Sequence, residues 1–335
     1  MKRNPNLMAR RVLLLLPQNL LGIERAMGAA REIRRYFSTI RITAFVPAFL
    51  REFANHCPYF DVVEDDAEGV DGKALSVLAK RIRSANYDSI LDLAGNAFTR
   101  RLKATLWPGR APWSEPEPGE RDNAGPTSYA YQLLLGDLHL RDQNDQPWAR
   151  LPRADLGWVR SAIRDAPRLQ PSFFNIEGHF VLVILGGPES HEGTSWAIEQ
   201  YTELCQRLVA RRTTPVLISN EAWREQAAQI TKTDRNIRNL IGRVDLFQIV
   251  GLAERAGGAV GMDNGLLNLA FSAGSRGVLL CTSANLPKNG QAPSRPIVTL
   301  HSASMGEIRA AEVENALLAL GSFDGANSQS ALRVH

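Results

Sequence analysis

A chain of 335 residues with 44% hydrophobic and 22% charged residues has the composition of an ordinary folded protein of roughly two domains, which excludes a wholly disordered chain, a fibrous repeat and a disulfide-stapled miniprotein. Lys and Arg outnumber Asp and Glu by 39 to 35, a net charge of +4, which suits anionic substrates or an anionic membrane face and is too small to predict nucleic-acid binding. The three cysteines, Cys57, Cys205 and Cys281, lie far apart and none of the six histidines forms H-x-x-x-H; no metal centre is expected, and the cysteines read as buried small hydrophobes in a reducing compartment.

The start of the chain is basic (Lys2, Arg3, Arg10, Arg11), but the apolar run Val12–Leu16 ends at Pro17. That is the length of a strand, not of a signal-peptide core. No apolar stretch approaches the roughly 20 residues that cross a bilayer. The chain is therefore expected in the cytoplasm, with room for peripheral contact with the inner face of the membrane. An apolar run without polar alternation predicts a parallel strand covered on both faces. Ala26, Ala30, Ile33 and Phe37 then recur at helical spacing. Strands follow at Ile42–Val46, Phe60–Val63 and Ser89–Leu93, with a helix over Ala74–Ile82. This alternation implies a doubly wound α/β sheet.

Pro108–Pro126, dense in Pro, Gly and charge, reads as an exposed loop, and Asp165–Pro171 as a linker. The expected domains are 1–170 and 171–335. In the second half, strands are predicted at Phe180–Leu185, Pro215–Ser219, Ala259–Met262 and Gly277–Cys281. Helices are predicted on the face Ala197, Tyr201, Leu204 and Leu208, over Trp223–Ile230, over Leu246–Ala256 behind the N-cap Asp245, and over Leu266–Ala273. A C-terminal helix is free to pack back on the first domain. Two α/β halves suggest a cleft, with ligands outside the carboxyl ends of the strands.

The chemistry then belongs to the strand-to-helix turns. The first, Pro17–Glu24, holds only Gly22, so neither the G-x-G-x-x-G fingerprint nor a P-loop is present, against a dehydrogenase or a P-loop ATPase. Gly22 either admits a ligand to the backbone or simply makes the turn. The Gly186–Trp196 loop, with Ser195 near its end, is an anion seat or an ordinary loop with Ser195 as helix cap. At Asp263-Asn264-Gly265, the amides of Asn264, Gly265 and Leu266 can meet a phosphate, while Asp263 either accepts a hydroxyl or caps the helix. Arg100, Arg101, Lys103 and Arg110 form a basic cluster, which is either a solvated face or a seat for an acidic acceptor.

Leu21-Gly22, the strand Tyr87-Asp88-Ser89-Ile90-Leu91-Asp92-Leu93, Trp196, Leu240-Ile241-Gly242 and Met262–Ala270 together resemble the heptosyltransferase family of lipopolysaccharide core assembly, glycosyltransferase family 9. The resemblance implies a GT-B architecture of two Rossmann-like domains facing across a cleft. It also implies an inverting transfer of a sugar, heptose from ADP-heptose in the typical case, to a lipopolysaccharide-type or related glycan acceptor, with no cofactor. By the same resemblance, Asp263, Asn264, Gly265 and Asn268 contact the donor, Thr194 and Ser195 lie on its loop, and Glu225 holds its ribose. The chain departs from the family where the general base, an Asp after the turn glycine, is Ile23, leaving Glu24 as the nearest carboxylate. It departs again where the phosphate lysine is Thr194, with Lys288 as another cation, and where the usual His is Asn268. An inactive GT-B protein that binds nucleotide or glycan, or scaffolds other enzymes, is the alternative.

Overall fold

The structure is a computed structural model that describes residues 11–17, 19–36, 38–65, 72–106, 111–114, 154–162, 167–186, 195–285 and 296–323. The chain divides into two compact units, the second beginning at Val159. The boundary therefore falls before the 170/171 expected from the linker composition. Leu169 shows why: its backbone lies against Gly251 of the second unit, where an added Cβ would stand 2.9 Å from the Leu169 carbonyl oxygen.

In the first unit, strands β1 (Arg11–Leu15), β2 (Arg41–Val46), β3 (Val62–Asp65), β4 (Ser89–Asp92) and β5 (Trp113–Ser114) form a parallel sheet in the order β3-β2-β1-β4-β5. The unbroken apolar run of β1 is buried along its length, as a strand covered on both faces requires. Helix α1 (Leu20–Tyr36) turns Ala26, Ala30 and Ile33 into the core; Phe37 lies outside the described residues. Two more helices, α2 (Arg51–Asn55) and α3 (Gly72–Ala85), precede β4, and α4 (Ala97–Leu106) follows it. Strand β3 starts later than its apolar residues suggested. Asp61 is spent before the strand begins, its carboxylate accepting from the Ile42 amide at 2.6 Å and from Arg34 at 2.5 Å. Inside the stretch expected to be a loop, Trp113–Ser114 is instead an edge strand on β4, and Lys103 lies over the Trp113 ring; the rest of that stretch from residue 115 lies outside the described residues.

The second unit begins with the short helix α5 (Gly157–Ala162 straddles the boundary) and holds a six-stranded parallel sheet, β6 (Phe180–Ile184), β7 (Thr214–Ile218), β8 (Arg238–Asn239), β9 (Gly258–Met262), β10 (Gly277–Thr282) and β11 (Ile297–Ser302), ordered β11-β10-β9-β6-β7-β8. Helices α6 (Ile198–Ala210), α7 (Arg224–Thr231), α8 (Leu246–Arg255), α9 (Gly265–Ser272) and α10 (Ala310–Ala319) alternate with the strands. One face of the sheet, with Val181, Val183, Leu217, Val260 and Leu280, packs on Trp196, Tyr201, Leu204 and Leu208 and on Val313 and Leu317 of α10. Each such side chain contributes about 1.5–3 kcal/mol on leaving water. Helix α10 is also clamped to α6, with Glu314 accepting from Arg211 Nε at 2.5 Å and Arg207 Nη1 at 3.1 Å. The cap read at Asp245 is a full capping box: Asp245 accepts from the Gln248 amide at 2.8 Å and Gln248 accepts from the Asp245 amide at 3.0 Å.

Both sheets reverse strand order once, between β1 and β4 in the first and between β6 and β9 in the second. In doubly wound sheets ligands bind outside the carboxyl ends of the strands at such switch points.

Candidate functional site

At the second switch point, β6 ends in Leu185-Gly186 and β9 in Met262-Asp263-Asn264, brought level by the pairing of Ile184 with Gly261. Asn264, rather than Asp263 or Gly265, is the N-cap of α9: its Oδ1 accepts from the Leu267 amide at 2.9 Å. Its Nδ2 donates to the Gly186 carbonyl at 3.3 Å, so one side chain joins the two strand ends. Because the cap takes the Leu267 amide and Asn268 N–H returns to the Asn264 carbonyl, the amides of Gly265 and Leu266 meet no acceptor among the described residues. They form the positive end of the α9 dipole. Asp263 is half-buried, and Asn268 Nδ2 donates to its Oδ1 at 2.7 Å and to the Asn264 carbonyl at 2.9 Å. Asn268 therefore fixes the carboxylate beside the open amides. The neighbouring Cys281 thiol is pushed up by burial and by the Asp263 charge, so it stays protonated and unreactive. Burial likewise raises Cys57 and Cys205 to about 12, which fits all three cysteines as buried, free packing residues.

The donor-side loop is only partly described. Thr194 lies outside the described residues, as do His191 and Lys288. Ser195 is exposed and is not a helix cap; α6 starts later, with Ala197 at the cap position. The Trp196 amide, expected among helix-start donors, is spent on Met262 Sδ at 3.3 Å, and the indole donates to the Ile308 carbonyl at 2.8 Å. Trp196 is thus an anchor that pins the loop to the end of β9.

Glu225 is exposed in the first turn of α7. A different carboxylate, Glu221, stands at the end of β7 in a short 3-10 turn capped by Asn220, whose side chain accepts from the Ala222 amide. Glu221 pairs with Arg224 and leans on Gly242, where a Cβ would overlap its Oε1. Trp223, in the same turn, reaches Gly186. The sequence reading missed both because it started the helix at Trp223; the signal was Asn220, a good cap directly after an apolar strand.

In the first unit, the Gly22 amide donates to Asn19 Oδ1 at 2.7 Å, and an added Cβ would sit 2.6 Å from both Cβ and Cγ of Pro17. Packing against Pro17 alone accounts for this glycine. Ile23 and Glu24 are 0% and 1% exposed, and Glu24 Oε1 accepts from the Ala154 amide at 3.2 Å. The carboxylate thus sits in the interior of the unit. Arg100 and Arg101 are exposed on α4. Arg100 folds back so that Nη1 donates to the Gly95 carbonyl at 2.9 Å, at the end of β4; Arg101, one residue on, is turned by about 100°. Arg110 lies outside the described residues. No group of three or more His, Cys, Asp and Glu among the described residues is placed to hold a metal, and none of their helices is long and apolar enough to cross a membrane.

Residues 161–299 match the family model "Glycosyltransferase family 9 (heptosyltransferase)", a span that reaches from α5 to β11 and holds the β6–β9 switch point. No curated protein matches the sequence. Among solved structures, a glycosyltransferase family 9 protein from Veillonella parvula superposes with a TM-score of 0.73 at 14% identity over 93% of this chain and 97% of its own. The ADP-heptose lipopolysaccharide heptosyltransferase II of E. coli gives 0.70 at 16% over 92% and 98%. E. coli heptosyltransferase WaaC with ADP-2-deoxy-2-fluoro heptose gives 0.65 at 12% over 92% and 99%. The chain thus has the GT-B fold of two Rossmann-like domains, and its residues 161–299 are similar in sequence to the glycosyltransferase family 9 (heptosyltransferase) model.

Proposed function

We propose that the protein is an inverting glycosyltransferase of the cytoplasm that takes a sugar from a nucleotide diphosphate, ADP-heptose in the first instance, and passes it to a lipopolysaccharide core or related glycan. The observation that carries this reading is the Asp263-Asn264-Gly265 turn, where two helix-start amides without acceptors stand beside a carboxylate fixed by Asn268. Such a turn can hold a diphosphate on Gly265 and Leu266 while Asp263 accepts sugar hydroxyls. Ser195 and Thr194 on the adjoining loop, and Glu225 at the ribose, complete the donor side in this reading. Arg100 and Arg101 serve an anionic acceptor, which peripheral membrane contact would present.

The reaction is a single displacement. The acceptor hydroxyl attacks the anomeric carbon as a carboxylate takes its proton, and the nucleotide diphosphate leaves with its new charge facing fixed dipoles. Glu24 is the carboxylate nearest the place of the family's base. Its burial, together with Ile23 at that place, favours a second reading: a GT-B protein that binds nucleotide or glycan without turnover. Product analysis with ADP-heptose and a truncated lipid A core, on wild type and Glu24→Gln, separates them. Transfer by wild type with a loss of about 10²–10⁴ in Glu24→Gln is the expected result. Full turnover in the variant removes Glu24 as base, and no transfer by wild type, with nucleotide still bound, leaves the binding reading.

A further inference from the structure

Gly186 closes β6 at the switch point with φ +93°. The space beyond its Cα is occupied by the Trp223 indole, whose Nε1 would stand 2.7 Å and Cε2 3.0 Å from an added Cβ. On its other side, Gly186 receives Asn264 Nδ2 on its carbonyl oxygen. The half-buried indole is braced by Tyr201, ring centroids 6.4 Å apart in a T-shaped contact, and the Tyr201 hydroxyl in turn donates to the Ile184 carbonyl at 3.4 Å. The nitrogen-bearing edge of Trp223 is thus held at the end of β6 by a rigid support. Among the described residues its N–H meets no acceptor. An indole N–H is a donor only, and the glycine it packs on also receives Asn264, the cap of the helix that opens with the Gly265 and Leu266 amides. N–H donors without acceptors are complementary to anionic oxygens.

We infer that Trp223 is a donor-binding residue whose indole N–H hydrogen-bonds a diphosphate oxygen of the nucleotide sugar, alongside the amides of Gly265 and Leu266. The assignment rests on the donor-site reading above and adds to it the group that supplements the helix amides. Trp223→Phe keeps a ring against Tyr201 and removes only the N–H, whereas Trp223→Leu removes the ring as well.

Calorimetric titration of ADP into wild type and both variants tests this. Trp223→Phe should weaken ADP binding about tenfold or more, the loss implied by one hydrogen bond to a charged group, with the melting temperature of the free protein unchanged. ADP affinity in Trp223→Phe within twofold of wild type overturns the inference, even if Trp223→Leu binds poorly, because the ring would then act as a wall alone. Wild type that binds none of ADP, UDP and GDP fails the donor-site reading itself, and the inference with it. A measurement on wild type avoids any folding defect of a variant. In protein labelled with ¹⁵N-tryptophan, ADP should move the Trp223 indole resonance downfield, assigned from whichever variant folds; an unmoved resonance refutes the hydrogen bond.

Discussion

Asn264 carries two separable functions, and two substitutions distinguish them. Its Oδ1 caps α9 through the Leu267 amide at 2.9 Å and its Nδ2 joins β9 to β6 through the Gly186 carbonyl at 3.3 Å. Alanine removes both. The lost cap costs about 1 kcal/mol and the longer, weaker bridge about 0.5 kcal/mol more, so Asn264→Ala should lose roughly 1.5 kcal/mol. For a unit of this size that lowers the melting temperature by about 3–6 °C. Asn264→Asp keeps an acceptor at the cap, in a place where negative charge suits the helix dipole, and forfeits only the donor to Gly186. Its stability should stay within about 1 kcal/mol of wild type. Its effect on ligand binding is the opposite: a carboxylate now faces any phosphate at the Gly265 and Leu266 amides, and ADP affinity should drop roughly tenfold or more. Urea unfolding followed by circular dichroism and calorimetric titration of ADP measure the two quantities. The reasoning is refuted if Asn264→Asp binds ADP as tightly as wild type, or if Asn264→Ala loses less than about 0.5 kcal/mol.

Gly22→Ala should destabilise the first unit by roughly 1–3 kcal/mol through overlap with Pro17, read as an earlier thermal transition; an unchanged transition would show that the turn relaxes freely. Burial works to raise Glu314, but the bonds from Arg211 and Arg207 outweigh it and hold the carboxyl below its ordinary value of 4.5. A depressed folded-state pKa stabilises the protein above that ordinary value, and the contribution is lost as pH falls through the lower folded value. Stability should therefore decline on acidification below about pH 4.5, and Glu314→Gln should flatten that part of the profile in acid-unfolding curves. Arg100→Ala, which frees the Gly95 carbonyl at the end of β4, should raise the acceptor concentration needed for half-maximal transfer more than Arg101→Ala does, while ADP affinity holds. Equal acceptor dependence in wild type and Arg100→Ala would remove Arg100 from the acceptor site.

The strands were the most legible elements because both sheets are parallel and buried. Val12–Leu16 and Phe180–Leu185 lack polar alternation for the same reason that they lie in the core. The Asp245 cap was legible because a good cap residue stands directly before an apolar helical repeat; the Gln248 half of the box comes from the structure. Strand β11 was not: its residues are half-buried or exposed and, among the described residues, pair only with β10, and an edge strand that carries polar residues and no buried run looks like a loop. At Asp263-Asn264-Gly265 two adjacent residues are both good caps, and spacing cannot choose between them. The choice depends on Asn268, one helical turn away, which occupies Asp263 and leaves Asn264 for the cap. Glu221 and Trp223 were hidden because their 3-10 turn runs directly into α7, erasing the break that marks a functional turn.

The two switch points carry the same sequence device, and comparing them shows why only one reads as an anion seat. At each switch one of the two strands runs out into an Asp and then an Asn that caps the next helix: Asp92 and Asn96 at the end of β4, Asp263 and Asn264 after β9. In the first unit three residues separate Asp from cap. That spacing lets the Asp92 carboxylate fold onto its own turn, where Oδ1 accepts from the Ala94 and Gly95 amides at 3.1 and 2.9 Å while the residue is 1% exposed. Its charge and its nearest donors are spent on each other, so the turn is a structural one. In the second unit Asp and cap are adjacent, so the amides two and three residues after Asp263 are those of Gly265 and Leu266 at the start of α9, and the carboxylate does not take them. Asp263 is held instead by a side chain from the following helical turn, and the amides of Gly265 and Leu266 keep their hydrogen-bonding capacity. Inserting three residues between Asp263 and Asn264, to match the first unit, should therefore let Asp263 close on its own turn and weaken binding of a nucleotide sugar more than that of ADP, whose diphosphate keeps the Gly265 and Leu266 amides; equal losses for the two ligands in calorimetric titration would refute this.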